Sequence, residues 1–172
     1  MRDGGAARGR GARPALAHAA GWVYGRNMAV RDLCRRDVDT ARYDESALDA
    51  ARRMRDKQVG TVVVVDGERP IGILTDRDLT VRILAAGLDP KTRVSEVMTP
   101  SPTTVSEETE IATAVGYMRA GRFRRLPVVG PDGHLRGIIA LDDVLGVVAS
   151  ELAEVGPLLL REAPHRWLGR QT

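Results

Sequence analysis

Cysteine and aromatic residues are scarce in this sequence of 172 residues, which contains one Cys, two Trp, three Tyr and one Phe. The single cysteine, Cys34, excludes a disulfide bond within the chain and a structural zinc site built from several cysteines. Because such sparing use of cysteine is typical of reducing compartments, we expect a cytoplasmic protein. So few aromatic rings also leave little material for a base-stacking surface that binds single-stranded nucleic acid.

Histidines and long apolar runs are also few. The three histidines, His18, His134 and His165, lie far apart in the sequence, so the sequence predicts no metal site. No segment approaches the about 20 consecutive apolar residues that a membrane-spanning helix needs. The hydrophobic fraction of 43% is too high for a disordered chain, and we therefore expect a globular protein with one compact domain or two small ones.

The positive charge is concentrated at the N-terminus. Residues 1–27 contain five arginines and one aspartate, a net charge of +4 against +3 for the whole chain, so residues 28–172 carry −1. This segment is rich in Gly, Ala and Arg and has no apolar periodicity, which predicts a disordered arm. Pro14, His18 and Gly21 interrupt its apolar stretch, which disfavours a signal peptide. Nucleic-acid binding by the arm is one alternative function, and deleting residues 1–27 would abolish it.

The remaining sequence contains one structural unit twice. Apolar residues spaced i, i+3, i+4 and i+7 occur over residues 47–54 and again, 64 residues later, over 111–118. This spacing predicts an amphipathic helix in each copy. Short apolar runs rich in valine follow at 62–65 and 126–129 and predict buried strands. A duplication of this kind indicates two repeats that share one core.

A turn, a second strand and a second helix complete each repeat. The turns are Asp66-Gly67 and Pro131-Asp132-Gly133, both with residues typical of tight turns. The predicted second strands are 71–74 and 137–139, the second helices begin near Asp76 and Leu141, and the extended pieces before the first helices are Thr40-Ala41 and Thr103-Thr104-Val105.

Each repeat is therefore predicted to be β-α-β-β-α, and the fold class is α+β. A unit of about 60 residues has a marginal core of its own, so we expect the two repeats to pack their sheets together with pseudo-two-fold symmetry. The predicted divisions are the arm 1–27, the first repeat 28–90, the second repeat 91–150, and a C-terminal helix and tail 151–172.

The most informative motif is Thr75-Asp76-Arg77-Asp78, where the last strand of the first repeat meets a helix. Unpaired N–H groups at a helix start, a hydroxyl and a guanidinium favour a phosphate, and a carboxylate three residues on suits a ribose diol. The same pattern is also an ordinary helix cap that needs no ligand, and the pattern alone favours this interpretation. The second repeat has Ala140 and Asp143 at the equivalent positions and lacks the hydroxyl.

These segments resemble a known family, the tandem cystathionine-beta-synthase (CBS) domain pair, or Bateman module. The resemblance covers about residues 28–150 and rests on the duplicated unit and on the motifs 72–78, 94–100 and 124–129. The stretch from Thr75 to Pro90 is similar to that of small stand-alone bacterial CBS-pair proteins of the hypoxic response protein type.

The resemblance implies a regulatory, non-catalytic module that binds AMP, ADP, ATP or S-adenosylmethionine in clefts between its repeats, without any other cofactor. It implies that Asp78 binds the ribose, that Thr75 and arginines bind the phosphate, and that Ile73 and Val105 line the adenine slot. The residues that the resemblance implies for this primary cleft are Thr75, Arg77, Asp78, Thr103, Thr104, Arg124 and Arg125.

A secondary cleft would combine Asp143 with Thr40, Val59 and Gly60. Because Ala140 removes the phosphate-facing hydroxyl, we expect weak binding or none there. Paired arginines beside the primary cleft have an alternative interpretation as solvated cations at a helix end.

The resemblance further implies a homodimer and an unidentified regulated partner protein. The apolar faces expected to form the dimer contact are Leu79, Ile83 and the segment from Val144 to Leu152. An alternative function is a dimeric interaction scaffold that binds no ligand.

Overall fold

The computed structural model describes residues 28–162, to which the following statements are confined; the predicted arm 1–27 and the end of the predicted tail lie outside them. The first part of the chain forms α1 (Val30–Leu33), β1 (Thr40–Arg42), α2 (Ala47–Lys57), β2 (Thr61–Asp66), β3 (Arg69–Thr75) and α3 (Asp76–Leu79), which continues as a π-helical turn (Thr80–Leu84). The second part forms α4 (Val94–Val97), β4 (Thr99–Pro100), β5 (Val105–Ser106), α5 (Ile111–Gly121), β6 (Arg125–Val129), β7 (Leu135–Ala140) and α6 (Leu141–Glu162).

The strands form two sheets, one for each repeat. The first has the order β1-β2-β3-β4 and the second the order β5-β6-β7. In each sheet the first strand is parallel to its neighbour and the hairpin that follows is antiparallel. The predicted α+β fold of two β-α-β-β-α repeats is confirmed.

The helix α2 forms where the sequence predicts it. The Ser46 hydroxyl accepts a hydrogen bond from the backbone N–H of Asp49 at 3.1 Å, which caps the first turn. Its buried face contains Ala47, Ala50 and Met54, and the helix ends at Gln58, whose φ of 55° is left-handed. The end of α2 thereby directs the chain into β2, at the edge of the clefts.

Each repeat takes part of its core from the segment that precedes the other repeat. Val94 and Val97 of α4 are buried in the core of the first repeat, whereas Val30 of α1 is buried in the core of the second. Backbone hydrogen bonds also join each of these segments to the other repeat. Strand β4 pairs with β3, and Arg35 forms two backbone hydrogen bonds of 2.9 Å with Ile138 in β7. The sequence pattern contains no signal for this exchange.

Two expectations about local structure need correction. Strand β5 begins at Val105, so Thr103 and Thr104 lie before it. The C-terminal helix is not separate from the second repeat, since α6 runs without a break from Leu141 to Glu162.

No helix within residues 28–162 combines the length and apolarity needed to cross a membrane.

The proposed dimer face also differs from the expectation. Ile83 and Val144 are 8% and 7% exposed because they belong to the two cores, and Leu79 packs against the first core. Leu79 and Ile83 lie four residues apart, a spacing that places both on the inward face of their helical segment. The exposed apolar side chains on the same helical segments are Val81, Leu84, Leu145, Leu152 and Val155, and Leu88 is exposed in the loop after the π-helical turn.

Candidate ligand-binding clefts

Thr75 and Asp78 form a complete capping box at the start of α3. The backbone N–H of Asp78 donates to the Thr75 Oγ1 at 3.1 Å, and the backbone N–H of Thr75 donates to the Asp78 Oδ2 at 3.0 Å. The Thr75 hydroxyl also donates to that Oδ2 at 2.7 Å. The capping interpretation of this motif is therefore correct, and it fixes the position of both side chains.

A second contact orients the Asp78 carboxylate. The Nη2 of Arg82, one turn along the helix, lies 3.1 Å from the Asp78 Oδ1. The same guanidinium donates to the Val97 carbonyl at 2.7 Å and to the Thr99 hydroxyl at 3.0 Å. Because a carboxylate accepts about four hydrogen bonds, Asp78 keeps acceptor capacity for a ligand while the protein holds it in place.

Thr75 and Asp78 line a cavity of about 350 Å³ between the repeats, which we call the apolar lobe of the primary cleft. Ile73 and Phe123 provide apolar surface from opposite repeats. A cavity of this size and character is typical of small-molecule sites. The other lining residues are Thr99, Ser101, Pro102, Thr103, Gly121 and Arg125.

An adjoining cavity of about 400 Å³ forms the arginine lobe of the primary cleft. It contains four arginines and one aspartate, a formal net charge of +3. Ile73, Thr75, Phe123 and Arg125 line both lobes, so the two cavities lie side by side. The other lining residues of the arginine lobe are Gly60, Thr61, Asp76, Arg77, Arg122 and Arg124.

Six of the seven residues expected in the primary cleft line it. Thr104 does not, since it lies half-buried before β5. Val105 is also absent from the cleft, because it is 4% exposed and belongs to the second core. Sequence reasoning missed Arg122 and Phe123, which lie between the end of α5 and the start of β6. Their position immediately before the 124–129 motif is the signal that could have identified them.

The secondary cleft encloses about 220 Å³. Asp143, Val59 and Gly60 line it as expected, together with Ala140 and Arg35. Thr40 does not line it, because its pairing with Val63 places it at a different depression. That depression, of about 260 Å³, is lined by Thr40, Val65, Gly67, Glu68, Leu135 and Arg136.

The Asp143 carboxylate is already engaged within the protein. Its Oδ2 accepts a hydrogen bond from the backbone N–H of Ala140 at 3.0 Å. Its Oδ1 accepts two more from Arg35, from Nη2 at 2.9 Å and Nε at 3.1 Å. Arg35 itself lines the cleft, whereas Arg82, which holds Asp78, does not line the primary cleft. A ligand entering the secondary cleft would have to share or displace this ion pair.

A comparison with protein families supports this architecture. The family model of the CBS domain matches the sequence twice, at residues 30–85 and 94–150. The chain belongs to the CBS-domain family. The two matched segments correspond to the two repeats, so the protein is a CBS pair. The Methanopyrus kandleri protein MK0525 is 37% identical over 124 residues, which are 71% of this chain and 63% of that protein. The chain thus spans less than two thirds of that relative.

Solved structures of CBS pairs support the same assignment. Hypoxic Response Protein I, with two coordinated zinc ions, is 31% identical with a TM-score of 0.63, over 69% of this chain and 97% of that one. CBSX2, solved in complex with AMP, is 29% identical with a TM-score of 0.61, over 71% and 96% of the two chains. Within residues 28–162 of this CBS pair, no group of three or more His, Cys, Asp or Glu side chains is positioned to hold a metal ion.

Proposed function

We propose that this CBS pair is a regulatory module that binds an adenosyl ligand, such as AMP, ADP, ATP or S-adenosylmethionine, in its primary cleft. The observation that carries the proposal is the convergence of Thr75 and Asp78 from one repeat with Thr103 and Arg125 from the other around a single cavity. The AMP complex of CBSX2 supports the ligand class.

The chemistry of the primary cleft fits the parts of such a ligand. Ile73 and Phe123 offer apolar surface for a purine, and the free acceptor capacity of Asp78 suits the ribose hydroxyls. The arginines suit the phosphate, since guanidinium groups bind phosphate oxygens through a fork of donors. The Thr75 hydroxyl could donate to the phosphate only by releasing the Asp78 carboxylate. Ligand contacts to both repeats would then favour one relative packing of the repeats, which a partner protein could read.

We propose that the module is not an enzyme. Asp78 and Asp143, the half-buried acids of the two clefts, both accept hydrogen bonds from a backbone N–H and from an arginine. These contacts account for both carboxylates as helix caps and ion-pair partners, with no need for a catalytic role. No cofactor beyond the regulatory ligand is part of the proposal.

A matched pair of variants tests the primary cleft. Asp78→Ala and Asp143→Ala remove the same capping bond from equivalent helices, so both should lose about 1 kcal/mol of folding stability. Asp78→Ala should in addition weaken nucleotide binding by about 10- to 100-fold, because charged hydrogen bonds are lost. Asp143→Ala should leave the affinity unchanged. Urea denaturation measures the stabilities, and isothermal titration calorimetry with each of the four ligands measures the affinities. Equal losses of affinity in the two variants would contradict the assignment.

A ligand-free dimeric scaffold is the alternative function, and the complete capping box favours it, because Thr75 and Asp78 are satisfied without a ligand. Thermal denaturation separates the two functions. A ligand at about 100 times its Kd adds about 2.7 kcal/mol of stability and raises the melting temperature by several degrees. The absence of any shift with all four compounds would favour the scaffold.

We further propose a homodimer formed through the exposed apolar side chains of the helical segments. Leu84 is 77% exposed, and Val81, Leu145 and Leu152 are also exposed. Exposed apolar side chains that form a patch mark interaction surfaces. Light scattering should give twice the monomer mass for the full chain at micromolar concentration, and the monomer mass for Leu84→Glu. A monomeric wild-type chain would exclude the dimer.

A further inference from the structure

Four arginines line the arginine lobe of the primary cleft, namely Arg77, Arg122, Arg124 and Arg125. They come from both repeats, since Arg77 lies in α3 and Arg125 in β6. Arg122 is held in place by the backbone, because it caps the end of α5 with a left-handed φ of 55°. The fold thus adds Arg77 of the first repeat to three arginines that lie within residues 122–125 of the second.

These four guanidinium groups have no carboxylate partner within ion-pair distance among residues 28–155. Most other arginines in the same part of the chain pair with acids, as Arg42 does with Asp44 at 2.7 Å and Arg53 with Glu45 at 2.6 Å. Arg69, Arg93 and Arg119 also lack such a partner there, but they do not line the lobe. The one carboxylate in the arginine lobe, Asp76, accepts a hydrogen bond from the backbone N–H of Arg77 instead. An unneutralised cluster of this kind creates a positive potential that favours an anion of several charges.

The arginine lobe contains one more polar group without a protein partner. The side chain of Thr61 is buried, and its Oγ1 has no hydrogen-bond partner among the described residues. Thr61 opens β2, as Arg125 opens β6, and both line the arginine lobe. An anion in the lobe would meet Arg125 directly, and it would reach the Thr61 Oγ1 only after a rotation of that side chain, since this oxygen is buried.

We infer that the primary cleft prefers an adenosine di- or triphosphate to the monophosphate; this inference rests on the proposed adenosyl-binding function. A phosphate monoester carries about −1.5 to −2 at pH 7, which the lobe's formal charge of +3 exceeds. Each further phosphate adds negative charge and acceptor oxygens. With the nucleoside in the apolar lobe, Thr75 lies at the boundary and the additional phosphates extend into the arginine lobe.

The test compares adenosine, AMP, ADP, ATP and inorganic tripolyphosphate by calorimetry on the full chain at low and moderate salt. We expect ATP to bind about 10- to 100-fold more tightly than AMP, since each added charged contact is worth about a factor of ten. The affinity for ATP should also fall more steeply with salt. Equal affinities for AMP and ATP at low salt would overturn the inference and leave the proposed function intact.

Arginine variants sharpen the test. Arg122→Gln and Arg124→Gln should each weaken ATP binding by about tenfold and leave adenosine binding unchanged. Arg119→Gln is the matched control, because Arg119 is an exposed arginine of α5 outside both lobes. Unchanged ATP binding in the Arg122→Gln, Arg124→Gln double variant overturns the inference. Failure of every adenine compound to bind the folded wild type overturns the proposed function as well. Tripolyphosphate binding as tightly as ATP overturns both, because the nucleoside would then contribute nothing.

Discussion

The primary and secondary clefts lie at equivalent positions of the duplicated fold and carry opposite charge. The arginine lobe of the primary cleft has a formal charge of +3. The secondary cleft has two arginines and four aspartates, a formal charge of −2. Both clefts nevertheless keep the acid that caps the following helix, Asp78 or Asp143. The acid is therefore a feature of folding in both repeats, and the hydroxyl and the arginines distinguish the cleft suited to a phosphate.

The arginine that pairs with the capping acid also comes from a different part of the chain in each repeat. Arg82 reaches Asp78 from the same helix and stays outside the primary cleft, whereas Arg35 reaches Asp143 from the segment before β1 and lines the secondary cleft. Duplicated sites can thus diverge through the segments that surround them, while their central residues stay the same.

We expect the largest difference in stability between the repeats when two equivalent glycines, Gly72 and Gly137, are replaced by alanine. A Cβ on Gly137 would lie 2.7 Å from the Arg35 carbonyl oxygen, and one on Gly72 would lie 2.3 Å from the Met98 sulfur. The Met98 side chain can rotate away, but the Arg35 backbone is fixed by its hydrogen bonds to Ile138. Gly137→Ala should therefore lower the free energy of unfolding by about 1–3 kcal/mol and Gly72→Ala by less.

Urea denaturation of both variants measures this difference. The displaced Arg35 is also the residue that binds Asp143 in the secondary cleft. A larger loss for Gly72→Ala than for Gly137→Ala would show that the wall of the secondary cleft is the more adaptable of the two.

Exchanging the residues at the two helix starts should have intermediate effects. Thr75→Ala removes a capping hydroxyl and Ala140→Thr adds one, so their stabilities should change by about 1 kcal/mol in opposite directions. Thr75→Ala should also weaken nucleotide binding by about tenfold. Ala140→Thr should leave the binding stoichiometry at one per chain, because Arg35 and the negative charge remain. Thermal denaturation and calorimetry test these outcomes; a second binding event in Ala140→Thr would mean that the hydroxyl alone separates the clefts.

The smallest effect is expected for Arg35→Ala. The Arg35 side chain is 72% exposed, and an exposed ion pair contributes at most about 1 kcal/mol. Arg42→Ala is a matched control, since Arg42 is equally exposed and pairs with Asp44. Because loss of Arg35 makes the secondary cleft more negative, no second nucleotide should bind. If calorimetry detects one, the ion pair and not the charge blocks the cleft.

The periodicity of the sequence predicted the elements well, because local patterns determine them. The helix α2 and strand β2 follow directly from the apolar spacing of residues 47–54 and the valine run 62–65. The capping box at Thr75 could be predicted equally well, since its two residues lie three positions apart in the sequence.

Contacts between distant segments could not be predicted in this way. Arg35 and Asp143 are separated by 108 residues, and no local pattern relates them. Arg122 and Phe123 line the primary cleft because α5 ends at Arg122 in a left-handed conformation, which turns the chain toward β3. The residue type at this position does not predict that conformation. The resemblance implied that Thr104 and Val105 line the cleft, but Thr104 lies outside it and Val105 is buried in the second core.

The exchange of Val30 and α4 between the cores has a consequence for how this fold originates. A lone repeat cut at residue 90 would lack Val94 and Val97 in its interior, and residues 91–150 would lack Val30. Neither fragment is thus a self-sufficient building block. An ancestor with a single repeat could have completed its interior with the same segment of a second copy, and gene duplication would then have joined two molecules that already exchanged it.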